Sequence, residues 1–221
     1  YVIQANKMSD FEFAGDCLMH FTAYEFEQSI FSLEDNNISN FKLYNESSRI
    51  VGLTGSFNAF TFHNNSINNV SGPGTVLQSV LLENNKMFLI VNNSMENCSG
   101  PSFLSASGGR ISHLEVSNNE IKNLIFPRNL INIDMLTHKG KIRMVNNTLI
   151  NNTLLASPDD LHSKLSFIAM TIEANIAWDV IYFDEWKLSE NTFNNTKSFS
   201  QYGQMNALFS LLLGNSTVYF R

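Results

Sequence analysis

The feature that most constrains this chain is a pattern, Asn-x-apolar-x-Asn/Asp, that occurs seven times. Successive first asparagines lie 30, 29, 28, 26, 28 and 44 residues apart. A regular period of this length is typical of solenoids, in which each coil buries its apolar face against its neighbours. We therefore expect a stack of coils. The first asparagines are Asn6, Asn36, Asn65, Asn93, Asn119, Asn147 and Asn191.

Apolar residues alternate with other residues around each first asparagine. The positions five and three before it and two after it are apolar in every repeat, as with Phe88, Ile90 and Met95 around Asn93. This alternation predicts half-buried strands, but the odd step across the asparagine would place the two apolar sets on opposite faces of a straight strand. The chain must therefore bend at the asparagine. Six of the seven preceding residues are Asn, Asp or Glu, and Asn and Asp tolerate the left-handed backbone of a sharp bend.

The bend should turn the first asparagine inward, so that equivalent amides from successive coils form an internal ladder. Buried amides are tolerated when they are paired, and identical stacked coils supply that pairing. The second Asn or Asp of each pattern shares its parity with the buried apolar residue. We expect it also to point inward.

A third strand precedes each pair of strands in the middle repeats. Three short strands per coil of roughly 28 residues describe a parallel β-helix. The sequence resembles the right-handed parallel β-helix superfamily typified by pectate lyases, whose coils carry internal Asn ladders and aliphatic stacks. The predicted fold is therefore all-β, a right-handed solenoid of seven to eight coils. The third strands are predicted at 50–53, 76–82, 103–106 and 130–135.

We expect a single β-helix domain over residues 1–221. The long interval between Asn147 and Asn191 predicts two insertions, at about 154–164 and 174–185. The second contains aromatic residues beside carboxylates, which is a composition suited to binding a sugar ring. Trp186 lies at an inward position, however, so core packing explains part of the cluster. The candidate ligand wall is Trp178, Asp179, Tyr182 and Asp184.

Ten Asn-x-Ser/Thr sequons occur, about twice the number expected by chance from the composition. This excess predicts a secreted, N-glycosylated protein, although a repeat rich in Asn, Ser and Thr also generates sequons incidentally. Seven asparagines are expected to reach solvent, beside inward positions or in loops: Asn37, Asn45, Asn64, Asn92, Asn146, Asn194 and Asn215. Asn69, Asn97 and Asn151 fall in the expected inward column, so we expect these three side chains to be bare.

The two cysteines are predicted to be unbonded. Cys17 and Cys98 lie about three coils apart, or roughly 14 Å at about 4.8 Å per coil. A disulfide needs Cα atoms within about 7 Å. Cysteine use therefore does not indicate the redox compartment.

Catalytic motifs are sparse, and we expect no enzyme, metal or cofactor other than N-linked glycans. The outward columns bring acidic and basic residues together, such as Glu115 with Arg143 and Lys187, as charge pairs across exposed strands do. The pair Asp159-Asp160 with His162 lies in an insertion, without the rigid support that acid–base chemistry needs. The motif set of polygalacturonases is absent, and the five histidines lack ligand spacing.

The composition excludes several partners. Charged residues are only 15% of the chain and the net charge is −6, which argues against nucleic acid. No apolar run reaches the roughly 18 residues of a membrane span. Neither end shows a capping segment, so we expect the ends to contact further coils of the same chain or a second copy stacked end to end.

The expected function is that of an extracellular or cell-surface structural glycoprotein, a rigid rod that assembles into filaments or acts in adhesion. The chain looks similar to the large extracellular β-helix repeat proteins of protists and other microbes. The alternative is a carbohydrate-active enzyme or lectin of pectate-lyase-like fold. A membrane-linked adhesin, anchored outside this segment, is a further alternative.

Overall fold

The computed structural model describes residues 2–23, 29–81, 84–126, 129–135, 139–155, 166–172, 180–199, 207–213 and 217–220. All secondary structure in these residues is β. The strands are β1 (Val2–Gln4), β2 (Lys7–Phe13), β3 (Cys17–Ala23), β4 (Ile30–Glu34), β5 (Asn37–Leu43), β6 (Arg49–Gly55), β7 (Ala59–His63), β8 (Ser66–Ser71), β9 (Thr75–Leu81), β10 (Asn84–Val91), β11 (Ser94–Glu96), β12 (Ser102–Ser107), β13 (Arg110–Ser117), β14 (Glu120–Lys122), β15 (Ile125–Phe126), β16 (Ile131–Met135), β17 (Lys139–Val145), β18 (Thr148–Ile150), β19 (Thr153–Leu155), β20 (Ser166–Ile172), β21 (Val180–Ser189), β22 (Thr192–Asn194), β23 (Lys197–Phe199), β24 (Ala207–Leu213) and β25 (Thr217–Phe220).

These strands stack into parallel sheets, each receiving one strand per coil. Sheet 1 has the order β1-β4-β7-β10-β13-β17-β21-β25, and sheet 2 has the order β2-β5-β8-β11-β14-β18-β22. Sheet 3 runs β24-β20-β16-β12-β9-β6-β3, and the small sheet 4 runs β15-β19-β23. Strands that pair in sheet 1 are separated in sequence by about one coil and lie in register, as with Phe60, Phe88, Leu114 and Ile142. The predicted all-β parallel β-helix is confirmed.

The interior is packed with stacked apolar side chains. Phe60 and Phe88 in adjacent sheet 1 strands are fully buried, with ring centroids 5.0 Å apart. Phe31 meets Phe57 edge to face at 5.2 Å, a favoured aromatic geometry. The apolar side chains of the first coil are more exposed to solvent than those of the second. Phe11 is 46% exposed, whereas Phe41, its partner in the second coil, is 2% exposed.

The two predicted insertions differ in outcome. Most of the first insertion, residues 156–164, lies outside the described residues, and residues 154 and 155 belong to β19. Of the second, 174–179 lie outside, whereas residues 180–185 belong to β21. Residues 180–183 pair with β25, and Tyr182, Phe183 and Glu185 pair with β17. The extension predicted at 174–185 thus includes residues that pair within sheet 1. The pairing of β17 with β21 shifts register between Gly140 and Lys141, which absorbs an extra residue.

Each coil bends at two left-handed corners within the segment that joins sheet 1 to sheet 3. The first corner is the residue before the first asparagine of each repeat, and the second corner is the second Asn or Asp itself. After the second corner the chain continues as the end of a long sheet 2 strand in the early coils and as sheet 4 in later coils.

Candidate functional site

The first corner has the same backbone conformation in all seven repeats. Its φ angles lie between 55° and 60°. Such a left-handed residue reverses the alternation of side chains, so the asparagine that follows faces inward as predicted. The first-corner residues are Ala5, Asp35, Asn64, Asn92, Asn118, Asn146 and Glu190.

The inward asparagines form a continuous internal ladder, which confirms the central prediction. In each step, the backbone N–H and the Nδ2 of one asparagine both donate to Oδ1 of the asparagine in the next coil. Asn65 donates to Asn93 Oδ1 from its backbone nitrogen at 2.9 Å and from Nδ2 at 3.1 Å. The same pair of bonds recurs from Asn6 to Asn36, and the series ends with Asn147 and Asn191.

The second hydrogen of each internal amide is also used. Asn93 Nδ2 donates to the carbonyl of Phe62 at 2.8 Å, and Asn119 Nδ2 to that of Ile90 at 2.9 Å. Both N–H groups and both lone pairs of these side chains are therefore paired. Asn36, Asn65, Asn93, Asn119 and Asn147 are at most 3% exposed.

The second Asn or Asp of each repeat points outward, so the prediction of an inward column was wrong. Asn69, Asn97 and Asn151 have φ of 54°, and their side chains are exposed. A second left-handed residue reverses the side-chain alternation once more, which a parity count along a straight strand misses. The residue after the second corner takes the inward place, as Phe41 and Val70 do.

The second-corner amides form an outer ladder on the surface. Asn40 Nδ2 donates to Asp10 Oδ1 at 2.9 Å, and Asn69 Nδ2 donates to Asn40 Oδ1 at 2.8 Å. Asn97 Nδ2 donates instead to Asn68 Oδ1 at 3.4 Å. The chain of bonds continues through Asn123 Nδ2 to Asn97 Oδ1, Asn151 Nδ2 to Asn123 Oδ1 and Asn195 Nδ2 to Asn151 Oδ1. The outer ladder donates toward the first coil, whereas the inner ladder donates away from it.

Asp10 accepts at the first-coil end of the outer ladder. The hydrogen bond from Asn40, followed by that from Ser9, lowers the pKa of the Asp10 carboxyl below its ordinary value of 3.8. Asp35 at the first corner is similar, because hydrogen bonds from Gln4 and Asn64 lower its pKa. Exposed carboxylates at these positions are held ionised by neighbouring amides.

Two inward residues after the second corner were missed by the sequence analysis. Asn152 is fully buried; its Oδ1 accepts from the Leu124 backbone N–H at 3.0 Å, and its Nδ2 donates to the Ile121 carbonyl at 3.0 Å. This is the inner-ladder geometry repeated at the second corner. The pair Asn151-Asn152 mirrors Asn146-Asn147 and is the signal that could have identified it.

Cys98 fills the same inward position two coils earlier. Its Sγ lies 3.4 Å from the Val70 backbone nitrogen and donates to the Glu96 carbonyl at 3.2 Å. Burial raises the pKa of the Cys98 thiol to about 11. Cys17 is free as well, so the prediction that the two cysteines are not bonded to each other is confirmed.

Every sequon asparagine in the described part of the chain is exposed. Asn37, Asn64, Asn92, Asn146 and Asn194 reach solvent as the alternation predicts, and Asn45 lies in an exposed turn. Asn45 Nδ2 donates to the Ala14 carbonyl at 2.7 Å. The exposed positions also include the three second-corner asparagines described above. Asn215 lies outside the described residues.

The outer face of sheet 1 carries the clearest charge cluster among the described side chains. Glu115 accepts from Ser117 Oγ at 2.7 Å, and its Oε2 lies 3.3 Å from His113 Nε2 and 3.8 Å from Arg143. Arg143 Nε also lies 3.4 Å from Glu185 Oε1, without hydrogen-bond geometry. Burial raises the pKa of Glu115, but Ser117, His113 and Arg143 together lower it further, and the net shift is downward.

The predicted ligand wall is only partly covered by the structure. Trp178 and Asp179 lie outside the described residues. Tyr182 and Asp184 belong to β21, where the structure describes their backbone alone. Across the described ranges, no cluster of three or more His, Cys, Asp and Glu side chains is arranged to hold a metal ion. The same ranges contain no helix that is long and apolar enough to cross a membrane.

Comparisons with known proteins identified no relative of this chain. No protein-family model, curated protein or solved structure matches this chain.

Proposed function

We propose that this chain is part of an extracellular structural glycoprotein, in which a β-helical rod carries N-linked glycans. The observation that carries the proposal is the exposure of all described sequon asparagines on a solenoid whose interior amides are fully paired. Solvent access is a requirement for a bulky glycan.

The rod would act mechanically. Parallel strand pairing along the axis, apolar stacks and the inner ladder each repeat at every coil, so stiffness arises from many equivalent contacts. Buried hydrogen bonds in a low-dielectric interior are costly to break, which resists bending and unwinding.

The first coil supports a contact with a further coil. Its sheet edges β1, β2 and β3 are unpaired on one side in the described structure, Val2 is 62% exposed, and Asn6 is exposed where later ladder residues are buried. We propose that this surface is covered by another coil, supplied by the same chain or by a second copy stacked end to end.

Electron microscopy of the native protein, combined with glycopeptide mapping, tests the proposal. Rods or filaments whose peptides carry glycans at Asn64, Asn92 or Asn146 are the expected result. Unglycosylated peptides at all described sequons of the secreted protein would overturn it. Long single-chain rods and end-to-end filaments can be told apart by dissociation in mild denaturant, because filaments shorten to monomers.

The charge cluster of sheet 1 favours a second candidate, a carbohydrate-active enzyme or lectin. A carboxylate beside a histidine and an arginine on a rigid sheet can contact a sugar. However, the lowered pKa of Glu115 makes it a poor proton donor, and Arg143 lies near both Glu115 and Glu185. Saturable binding of an oligosaccharide that is lost in Glu115→Gln and Arg143→Gln would favour this candidate over a purely structural rod.

A further inference from the structure

Three repeats carry a sequon at both corners, and the two corners share the same local geometry. At each of these corners the sequon asparagine is left-handed and exposed. The residue after it is buried, and the Ser or Thr of the sequon directly follows that buried residue. Asn64 and Asn69 have φ of 55° and 54°, and they precede the buried Asn65 and Val70. The same holds for Asn92 with Asn97 and for Asn146 with Asn151.

From this equivalence we infer that the second-corner asparagines Asn69, Asn97 and Asn151 are N-glycan acceptors, as Asn64, Asn92 and Asn146 are proposed to be. The inference rests on the proposed function, and it reverses the expectation that these three side chains are bare. The modified face would be sheet 2, bordered by a row of glycans at each corner.

The outer-ladder hydrogen bonds leave room for this modification. An amide carries two N–H groups, and the described outer-ladder bond of Asn69 uses one of them, to Asn40 Oδ1 at 2.8 Å. Asn151 uses one in the same way, to Asn123 Oδ1 at 3.3 Å. An N-glycosylated amide keeps one N–H, so the ladder bond and the sugar can coexist.

The inner ladder shows the contrast. Asn93 Nδ2 donates to the Phe62 carbonyl and to Asn119 Oδ1, so both of its hydrogens are used inside a packed core. No sugar could replace either hydrogen without breaking a buried bond. Glycans are therefore excluded from the interior by hydrogen bonding as well as by access.

The chemistry is substitution at the sugar C1 of a lipid-pyrophosphate-linked oligosaccharide donor. The Nδ2–C1 bond forms, the bond from C1 to the pyrophosphate oxygen breaks, and the amide loses one proton. The oligosaccharide is the transferred group, and the lipid pyrophosphate, which takes up the released proton, is the leaving group.

The test uses the unmutated full chain secreted from an N-glycosylating cell line. Peptides are treated with peptide N-glycosidase in ¹⁸O water, which converts each occupied asparagine to ¹⁸O-labelled aspartate, and an untreated aliquot controls for spontaneous deamidation. We expect label at Asn69, Asn97 and Asn151 as well as at the first-corner sites. Label at Asn64, Asn92 and Asn146 with unlabelled second-corner peptides would overturn the inference and leave the proposed function standing. If neither corner is labelled, the inference fails, and the proposed function fails with it when Asn37, Asn45 and Asn194 are unlabelled as well.

Matched variants give a second readout that does not alter the corner backbone. Ser71→Ala, Ser99→Ala and Thr153→Ala remove the second-corner sequons but keep the left-handed asparagine. Each is expected to lower the mass of the secreted protein by one glycan at that site, as Ser66→Ala does at the first corner. Unchanged glycan mass in all three second-corner variants, with a loss in Ser66→Ala, contradicts the inference.

Discussion

Asparagine serves two different physical needs within a few residues of one another in this chain. As a corner residue it adopts a left-handed backbone that most side chains resist, because its short polar side chain is well tolerated there. As a ladder residue it supplies two N–H donors and an oxygen that accepts two hydrogen bonds, so its side chain can hydrogen-bond to the coil before it and to the coil after it. Asn92 and Asn93 show both uses side by side.

The inner ladder gives the first prediction. Asn93→Ala should lower the free energy of unfolding by about 3 kcal/mol, because it leaves the backbone N–H and Nδ2 of Asn65 without their buried acceptor. Urea denaturation followed by circular dichroism measures this change. The control is Asn68→Ala, at an outward position that accepts one long bond from Asn97, with an expected loss of less than about 0.5 kcal/mol. Equal losses in the two variants would contradict the ladder's importance.

The corner backbone gives the second prediction. Asn118 has φ of 55° and is exposed, and its Oδ1 accepts from Asn146 Nδ2. Asn118→Val and Asn118→Gly both lose this bond, so their difference reports the strain of a β-branched side chain at positive φ less the larger entropy that glycine loses on folding. We expect the valine variant to be about 1–2 kcal/mol less stable than the glycine variant. Identical denaturation midpoints would show that the left-handed corner is not energetically significant.

Cys98 gives the third prediction. With a pKa of about 11 and 2% exposure, its thiol should resist alkylation in the native protein. At pH 8 such a pKa leaves roughly one molecule in a thousand as thiolate. Iodoacetamide labelling read by mass spectrometry should modify the half-buried Cys17 first and Cys98 only after urea is added. Equal rates at the two cysteines under native conditions would argue against the buried position.

Among the elements, the two ladders run in opposite directions. The inner ladder donates toward later coils and the outer ladder toward the first coil, where Asp10 receives the bond from Asn40. Amide dipoles of opposite sense within one coil oppose one another along the axis. A carboxylate at the accepting end of the outer ladder strengthens its last bond, since hydrogen bonds to ionised acceptors are stronger than those to neutral ones.

This arrangement predicts an acid-sensitive contribution to stability. Because the pKa of Asp10 is lowered on folding, its contribution is present above its ordinary value of 3.8 and is lost as the pH falls through the lower folded value. Asp10→Asn keeps a residue suited to the left-handed corner but removes this titration. Melting temperatures measured from pH 6 to pH 2 should fall less steeply for the variant than for the parent chain. Parallel curves would contradict a role for the Asp10 charge.

At the scale of the whole molecule, stability is the sum of coils and the interfaces between them, as in other repeat proteins. Each sheet strand contacts the strand one coil before and one coil after, so long-range order needs only the local repeat and its register. A coil can therefore be added without changing any type of contact.

Coil duplication tests this property. Inserting a copy of residues 65–92 after Asn92 places a left-handed corner before every ladder asparagine, so the longer chain should fold with a melting temperature no lower than that of the parent. A copy of 65–91 omits one corner residue and should destabilise the rod, because the ladder asparagine at the junction no longer faces inward. Circular dichroism and limited proteolysis compare the two. Equal stability of the two insertions would contradict a register-dependent solenoid.

The sequence by itself determined the coil, the first corner and the inner ladder, because their pattern is local and is repeated at nearly constant spacing. Alternating apolar residues defined the inward face, and the odd step at Asn93 required a bend there. The tertiary structure decided the direction of Asn69, Asn97 and Asn151, the burial of Asn152 and the place of Cys98. A second left-handed residue reverses the parity again, and whether an amide finds its partners inside or outside depends on the coil stacked against it, which a single repeat does not contain.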